Sequence, residues 1–497
     1  MRHRGNVVRI LCAITLAGVV AVASPTAAPA EPGAQTVQVG GSPVGGRLAT
    51  GFVSFSFEYR ALHEYTGRDA AHVNPVLIAL LRGLAPVGRS VLRVGGNSTD
   101  QTWWPVRGVT SPGGVNYSLT HGWLRVARGL ALATGSRLLL GVNLAANRPG
   151  LAAVEARALL DGIGRRNLTA LEIGNEPDLY ASNSALRDAR GHVITPRGPA
   201  YGLPALISEF GRWRAALPRV PLAGPAWATL AWGGGLGRFV DAEPGLAAVT
   251  LHRYPLRACT SDPTQPNYPS IANLLAARSS QGLAQAIAPS VQVAHRRGVA
   301  FRLDELNSAS CRGRRGVSDT FAAALWLADT LFDLAAVGAD GVNLQTLPRT
   351  AYQAFSFTHA RSGWRAAVAP IYYGALLFTR AFPAGARLLR VGTSGPLSAW
   401  ATVDARGTVR TTLINKTPAP VTAQLQVPGG AGAPLRAQAL LAPSVDATGA
   451  VTLAGQSFGA STATGRLSGA PATGLVPAGI GGYTVTVPAY SALLLNR

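Results

Sequence analysis

Eight short apolar runs recur in this 497-residue chain, at about 51–57, 90–94, 137–142, 168–173, 220–223, 247–251, 299–303 and 341–344. Helically spaced stretches lie among them, at Trp123–Thr134, Ala152–Ile163, Asn273–Arg297 and Phe321–Val337, and Tyr372–Phe382 follows the last run. Strand–helix alternation of this kind, over roughly 330 residues, predicts an α/β chain closed as a (β/α)8 TIM barrel. The runs stop on polar residues: Glu58, Asn97, Asn143, Asn175 with Glu176, His252, Glu305 and Gln345. Core packing does not gather polar groups at one end of a strand, whereas the C-terminal rim of a parallel barrel is where such enzymes place their chemistry.

After Pro383 the helical spacing stops. Alternating runs at Leu397–Val403, Thr408–Leu413, Val421–Val427 and Tyr483–Val487, separated by Gly- and Pro-rich turns, predict a C-terminal antiparallel β-sandwich domain. The expected organisation is a leader at 1–30, an N-terminal segment at 31–48, a catalytic barrel at 49–383 and the β-sandwich at 384–497. The leader reading rests on Arg2, His3 and Arg4, the apolar run Ile10–Ala23, and Ala28-Pro29-Ala30 as a cleavage site. Cleavage after Ala30 makes the protein secreted, with no stable membrane insertion afterwards. A retained anchor is the alternative, and the run is short for one.

With 47% hydrophobic and 14% charged residues, long disordered regions are not expected. The net charge of +22 suits acidic partners such as uronic-acid polymers. It also fits a compositional bias, since Lys416 is the single lysine. No basic run interleaved with aromatics is present, so nucleic acid is not an expected partner. Cys12 falls in the leader, and Cys259 and Cys311 form an even pair in an exported chain, so a disulfide joining them is expected. Two cysteines without a CxxC make no metal site, and no cofactor is expected.

The stretch LEIGNEPDLY, Leu171–Tyr180, sets a carboxamide beside a carboxylate where Gly174 and Pro177 stop a buried strand. Glu176 ends the fourth strand and Glu305 the seventh, on roughly opposite walls of one barrel mouth. Two facing carboxyl groups are what glycosidic cleavage requires: one protonates the leaving oxygen, the other attacks the anomeric carbon. Retention, which needs a separation of about 5–5.5 Å, is the expectation. Asn175 can bond a sugar 2-hydroxyl. Tyr254 can reach the nucleophile and keep it ionised. His252 can serve the acid or a sugar hydroxyl, with a structural histidine as the equal alternative. Asp304 is expected to point away from Glu305 and to pair with an arginine; Asp178 and Glu172 read as structural. Trp103, Trp104, His359 and Trp364 are candidate sugar-stacking or packing groups.

Five stretches in order carry a resemblance: LRVGGNSTD (Leu92–Asp100), LEIGNEPD (Leu171–Asp178), VTLHRYP (Val249–Pro255), DELNSAS (Asp304–Ser310) with SDTFAAALW (Ser318–Trp326), and TAYQAF (Thr350–Phe355). They resemble the heparanase and β-glucuronidase group, glycoside hydrolase family 79. The resemblance implies a retaining mechanism with Glu176 as acid/base and Glu305 as nucleophile. It implies sugar contacts at Glu58, Asn97, Asn175 and Tyr352, with Tyr352 near a uronic carboxylate, and an N-terminal segment that donates a strand to the sandwich. Two departures touch that carboxylate region. The loop after the nucleophile reads CRGRRG, Cys311–Gly316, and Thr350 stands where the family has glycine. Arg312, Arg314 or Arg315 can supply an anion contact there; a solvated arginine run is the alternative. The expected activity is hydrolysis of β-glucuronides or uronic-acid glycans. Hydrolysis of neutral glycosides, and a non-catalytic glycan-binding or cell-wall role, are the alternatives.

Overall fold

The computed structural model describes residues 35–497 apart from 87–88, 183–185, 189 and 431. The leader read at 1–30 lies outside the described residues. The first element, β1 (Gln35–Val44), belongs to the C-terminal sheet. Eight strands then close a parallel barrel: β2 (Val53–Glu58), β3 (Val91–Gly95), β4 (Arg137–Val142), β5 (Leu168–Ile173), β6 (Leu222–Trp227), β7 (Leu246–Arg253), β8 (Ala300–Leu306) and β9 (Gly341–Gln345). Most are buried along nearly their whole length, because helices cover the outer face and side chains fill the inner one.

Local chemistry sets many of the helix ends. Asn74 caps Pro75–Leu84 by accepting from Val76 N and Leu77 N, and Thr120 caps His121–Thr134 by accepting from Trp123 N. Two boundaries differ from the sequence reading. Strand β6, expected at 220–223, starts at Leu222 and runs on through Gly224 and Pro225, which pair with Val249 and Thr250 of β7. The stretch 273–297 is not one helix: Ile271–Leu275 and Gln281–His295 are separated by a 3-10 turn at Ala277–Ser279.

The C-terminal domain is one ten-stranded sheet folded over a shared core that includes Val39, Leu413, Leu425, Val485 and Leu495. Its pairs are antiparallel except one. Strand β1 runs antiparallel to Arg387–Thr393 and parallel to Val421–Gln426, so the N-terminal segment sits between two strands more than 340 residues away. The domain is bolted to the helix Phe321–Ala336. Asp329 of that helix accepts from Lys416 Nζ at 2.6 Å, Trp400 Nε1 at 2.8 Å and Ser398 Oγ at 3.0 Å, while Phe332 stacks on Trp400 at 5.3 Å. The helix is therefore buried on nearly every face, and the single lysine is engaged at the domain junction.

Candidate active site

Arg93, on β3 and fully buried, is the centre of the barrel mouth. Its Nε donates to Glu172 Oε2 at 2.8 Å and lies 3.0 Å from Asp304 Oδ2. Its Nη1 reaches Glu305 Oε2 at 2.7 Å and Ser56 Oγ at 3.2 Å. Its Nη2 reaches Asn175 Oδ1 at 3.0 Å and His252 Nε2 at 3.1 Å. One guanidinium thus ties β2, β3, β5, β7 and β8 together through their rim residues. Reading strand ends passed over Arg93, which sits mid-strand; the signal available was an arginine inside an otherwise apolar barrel run.

Asp304 corrects an expectation. It was read as pointing away from Glu305, but both carboxylates meet Arg93. The register explains this: Leu303 pairs with Leu251 and Glu305 with the next residue, His252, so Asp304 is an extra residue in a β-bulge. Strict alternation fails at that point.

Glu305 is 7% exposed and receives Tyr254 Oη on Oε1 at 2.8 Å. Burial opposes its charge, yet the Arg93 guanidinium and the Tyr254 hydroxyl hold its carboxyl below the ordinary value. Glu176 is tuned in the opposite direction. It sits in left-handed backbone (φ 52°, ψ 51°) just after β5, its N–H bonded to Ala226 O at 3.0 Å. Gly174 makes that turn possible, since a Cβ there would lie 2.8 Å from Leu144 Cβ. Burial, with Glu305 and Asp178 nearby, raises the Glu176 carboxyl against the pull of His252. One oxygen of Glu176 and one of Glu305 lie within 4.8 Å of each other.

His252 joins the two glutamates: Nδ1 is 3.1 Å from Glu176 Oε1 and 3.9 Å from Glu305 Oε2. Burial disfavours a charged ring, while Glu305, Glu176 and Asp304 draw its pKa up to about 9. The contact with Arg93 argues the other way. A guanidinium can only donate, so Nε2 must carry a lone pair and the proton sits on Nδ1, facing Glu176. We assign the neutral ring on that geometry. Deeper in, burial and Glu172 push the Asp304 carboxyl well up, while Arg93 outweighs burial and holds that of Glu172 below its ordinary value.

The remaining predicted residues fall around this pair. Glu58 accepts from Asn97 N at 3.2 Å and Ser98 N at 2.6 Å, and burial raises its carboxyl. Gly96 makes room for it, because a Cβ there would meet Glu58 Oε1 at 2.6 Å. Exposed Asn97 accepts from Asn175 Nδ2 at 3.3 Å. Asp100 fixes Asn175 from behind by accepting its backbone N–H at 3.2 Å. The Tyr352 ring lies 6.3 Å from that of Tyr254. Asp178 is structural, accepting from Ala228 N and Thr229 N. Trp103 is buried packing, Trp104 meets His121 edge-on, and His359 and Trp364 stack on each other across the hairpin Phe355–Ala360/Gly363–Val368.

Two acidic triads, Glu176–His252–Glu305 and Glu172–His252–Asp304, bring donor atoms within 4.8 Å of one another. Arg93 is bonded into both and supplies the positive charge that a cation would bring. We therefore assign no metal to either.

Cys259 and Cys311 are disulfide-bonded with Cα atoms 5.8 Å apart, joining the loops after β7 and β8 beside the paired residues Leu256–Arg257 and Ala309–Ser310. The bond closes a 52-residue separation. Cys259→Ser/Cys311→Ser is expected to lose about 4 kcal/mol of stability on a chain-entropy basis. Equilibrium denaturation of the oxidised wild type against the double variant checks this.

No curated protein sequence matches the chain. Among solved structures, a 4-O-α-L-rhamnosyl-β-D-glucuronidase from Fusarium oxysporum 12S superposes with a TM-score of 0.70 at 19% identity, covering 93% of this chain and 100% of that one. A family 51 arabinofuranosidase from Xanthomonas axonopodis pv. citri gives 0.64 at 15% identity, covering 93% and 99%. An α-L-arabinofuranosidase from Thermotoga maritima gives 0.61 at 14%, covering 93% and 100%. At these identities the likeness shows a shared fold. Residues 399–494 match the model of the glycosyl hydrolase family 79 C-terminal beta domain. Behind its (β/α)8 barrel, this chain has a β domain that matches the glycosyl hydrolase family 79 C-terminal beta domain over residues 399–494, and the barrel motifs resemble the same family.

Proposed function

We propose that the protein is an exported, retaining glycoside hydrolase acting on β-glucuronides or uronic-acid-containing glycans. The observation that carries this is a pair of adjacent carboxyl groups with opposed tuning: Glu305 held ionised by Arg93 and Tyr254, Glu176 raised by burial. The ionised group attacks the anomeric carbon while the protonated one donates to the leaving oxygen. Glu176, now a carboxylate, then takes a proton from water as that water attacks the glycosyl–Glu305 ester. The short oxygen separation supports retention over inversion, which leaves about 6.5–9.5 Å for a water. Asn175, held by Arg93 and Asp100, is placed to bond a 2-hydroxyl.

The family 79 domain match and the fold shared with a rhamnosyl-glucuronidase favour a uronic substrate. Hydrolysis of neutral glycosides is the second reading, favoured by Thr350 at the family's glycine position and by the fold shared with arabinofuranosidases. Trapping with a 2-fluoro glucuronyl fluoride tests nucleophile and sugar together. The label is expected on the peptide holding Glu305; labelling elsewhere, or none alongside rapid cleavage of neutral glycosides, overturns the reading.

Glu176→Ala is expected to slow substrates with poor leaving groups by about 10²- to 10⁴-fold and activated phenols far less. Added azide should rescue it and yield a β-glycosyl azide; an α-azide would contradict the roles. The rate needs Glu305 ionised and Glu176 protonated. The pH profile is therefore a bell whose acid limb lies below the ordinary carboxyl value and whose alkaline limb lies above it. The alkaline limb should vanish in Glu176→Ala on activated phenols.

A further inference from the structure

The loop after β8 carries three arginines, and the structure separates them. Arg314 lies over the Tyr268 ring at 5.2 Å, and Arg315 Nη1 is 3.9 Å from Asp319 Oδ2. The exposed Arg312 side chain has no hydrogen bond, ion pair or ring contact among the described residues. Its backbone, by contrast, is tightly held. Arg312 O accepts from Ala351 N at 3.0 Å, and the preceding residue is in the disulfide to Cys259. Gly313 sits so close to Tyr352 that a Cβ would lie 3.0 Å from its N. The Arg312 backbone is thus anchored beside Tyr352, one ring away from the Tyr254 that bonds Glu305, and its head is left free.

Position 312 also has φ +72°, after φ +57° at Cys311. Glycine adopts that backbone without strain, and a long side chain does not. A costly side chain with no partner of its own, at the rim of a site, points to a partner outside the chain. The Arg312 charge is felt at the Tyr352 phenol, where it opposes the upward push of burial.

We infer that Arg312 is the specificity-determining residue of this site: its guanidinium grips the carboxylate of the sugar whose anomeric carbon lies on Glu305. This rests on the glucuronidase reading and adds to it the group that tells a uronic acid from a neutral hexose. A guanidinium matches a carboxylate with two parallel N–H donors.

The test is the ratio of kcat/KM for 4-nitrophenyl β-glucuronide to that for the β-glucoside, in full-length wild type, Arg312→Gly, Arg312→Lys and Arg315→Gln. The ratio is expected to fall about 10- to 100-fold in Arg312→Gly, the effect of losing a charge-assisted contact. It should fall by less in Arg312→Lys and hold in Arg315→Gln. The melting temperature of Arg312→Gly should equal or exceed that of wild type, because the backbone strain is relieved. A ratio within about two-fold of wild type in Arg312→Gly overturns the inference while leaving the glucuronidase reading intact. An equal fall in Arg315→Gln overturns it in favour of bulk charge. A wild type that cleaves only the glucoside overturns both.

Discussion

Glu305→Gln is expected to lower kcat on a chromogenic glucuronide by on the order of 10⁵- to 10⁶-fold, the loss seen when a nucleophile that works as part of a unit is removed. The change keeps the side chain's shape and lets it go on meeting Tyr254 Oη, now 2.8 Å from Oε1. It cannot form the covalent ester, so activated leaving groups do not rescue it, in contrast to Glu176→Ala. Steady-state hydrolysis with a circular dichroism control for folding makes the measurement. If wild type and Glu305→Gln were equally inert on a broad glycoside panel while both bound glycan, the protein would be a glycan-binding module and the catalytic reading would fall.

Arg93→Met should produce the largest combined loss of stability and activity. The guanidinium touches Glu172, Asp304 and Glu305, all with almost no exposed side-chain surface. Removing it leaves two ionised carboxylates buried without their counter-charge, a change that costs about 3–5 kcal/mol. The effect on pH follows from the sign of the Glu305 shift. Its folded value lies below its unfolded one, so it stabilises the fold above the unfolded value and loses that contribution as pH falls through the folded value. Without Arg93 the Glu305 carboxyl rises, and the acid limb of kcat/KM should move up by about 1–3 pH units. Denaturation midpoints and the pH profile check the two parts separately. A variant with an unmoved acid limb would show that the Tyr254 hydrogen bond suffices to keep Glu305 ionised.

The barrel was legible in the chain because its signals are local. An apolar run, a stop at Gly174 and Pro177, and a carboxylate beyond it are decided within about ten residues, so the rim positions of Glu176, His252 and Glu305 follow from reading strands one at a time. The alternating runs after Pro383 marked the C-terminal strands in the same way, and Tyr483–Val487 is a strand as read.

What the sequence could not reveal depends on how distant strands are set against one another. The bulge at Asp304 arises from the pairing of β8 with β7, and it turns a residue read as facing away toward Arg93. Strand β6 continues through Gly224 and Pro225 because they pair with Val249 and Thr250 of β7. Arg315 finds a partner four residues on and Arg314 one in the distant Tyr268, while Arg312 is left open beside a tyrosine forty residues on. The sequence by itself determined which residues can form strands and which acidic and basic side chains stand at their ends, since those depend on near neighbours. Only the tertiary structure decided which charges meet inside the barrel and which stay free, because closing eight strands brings four of them onto the buried guanidinium of a fifth.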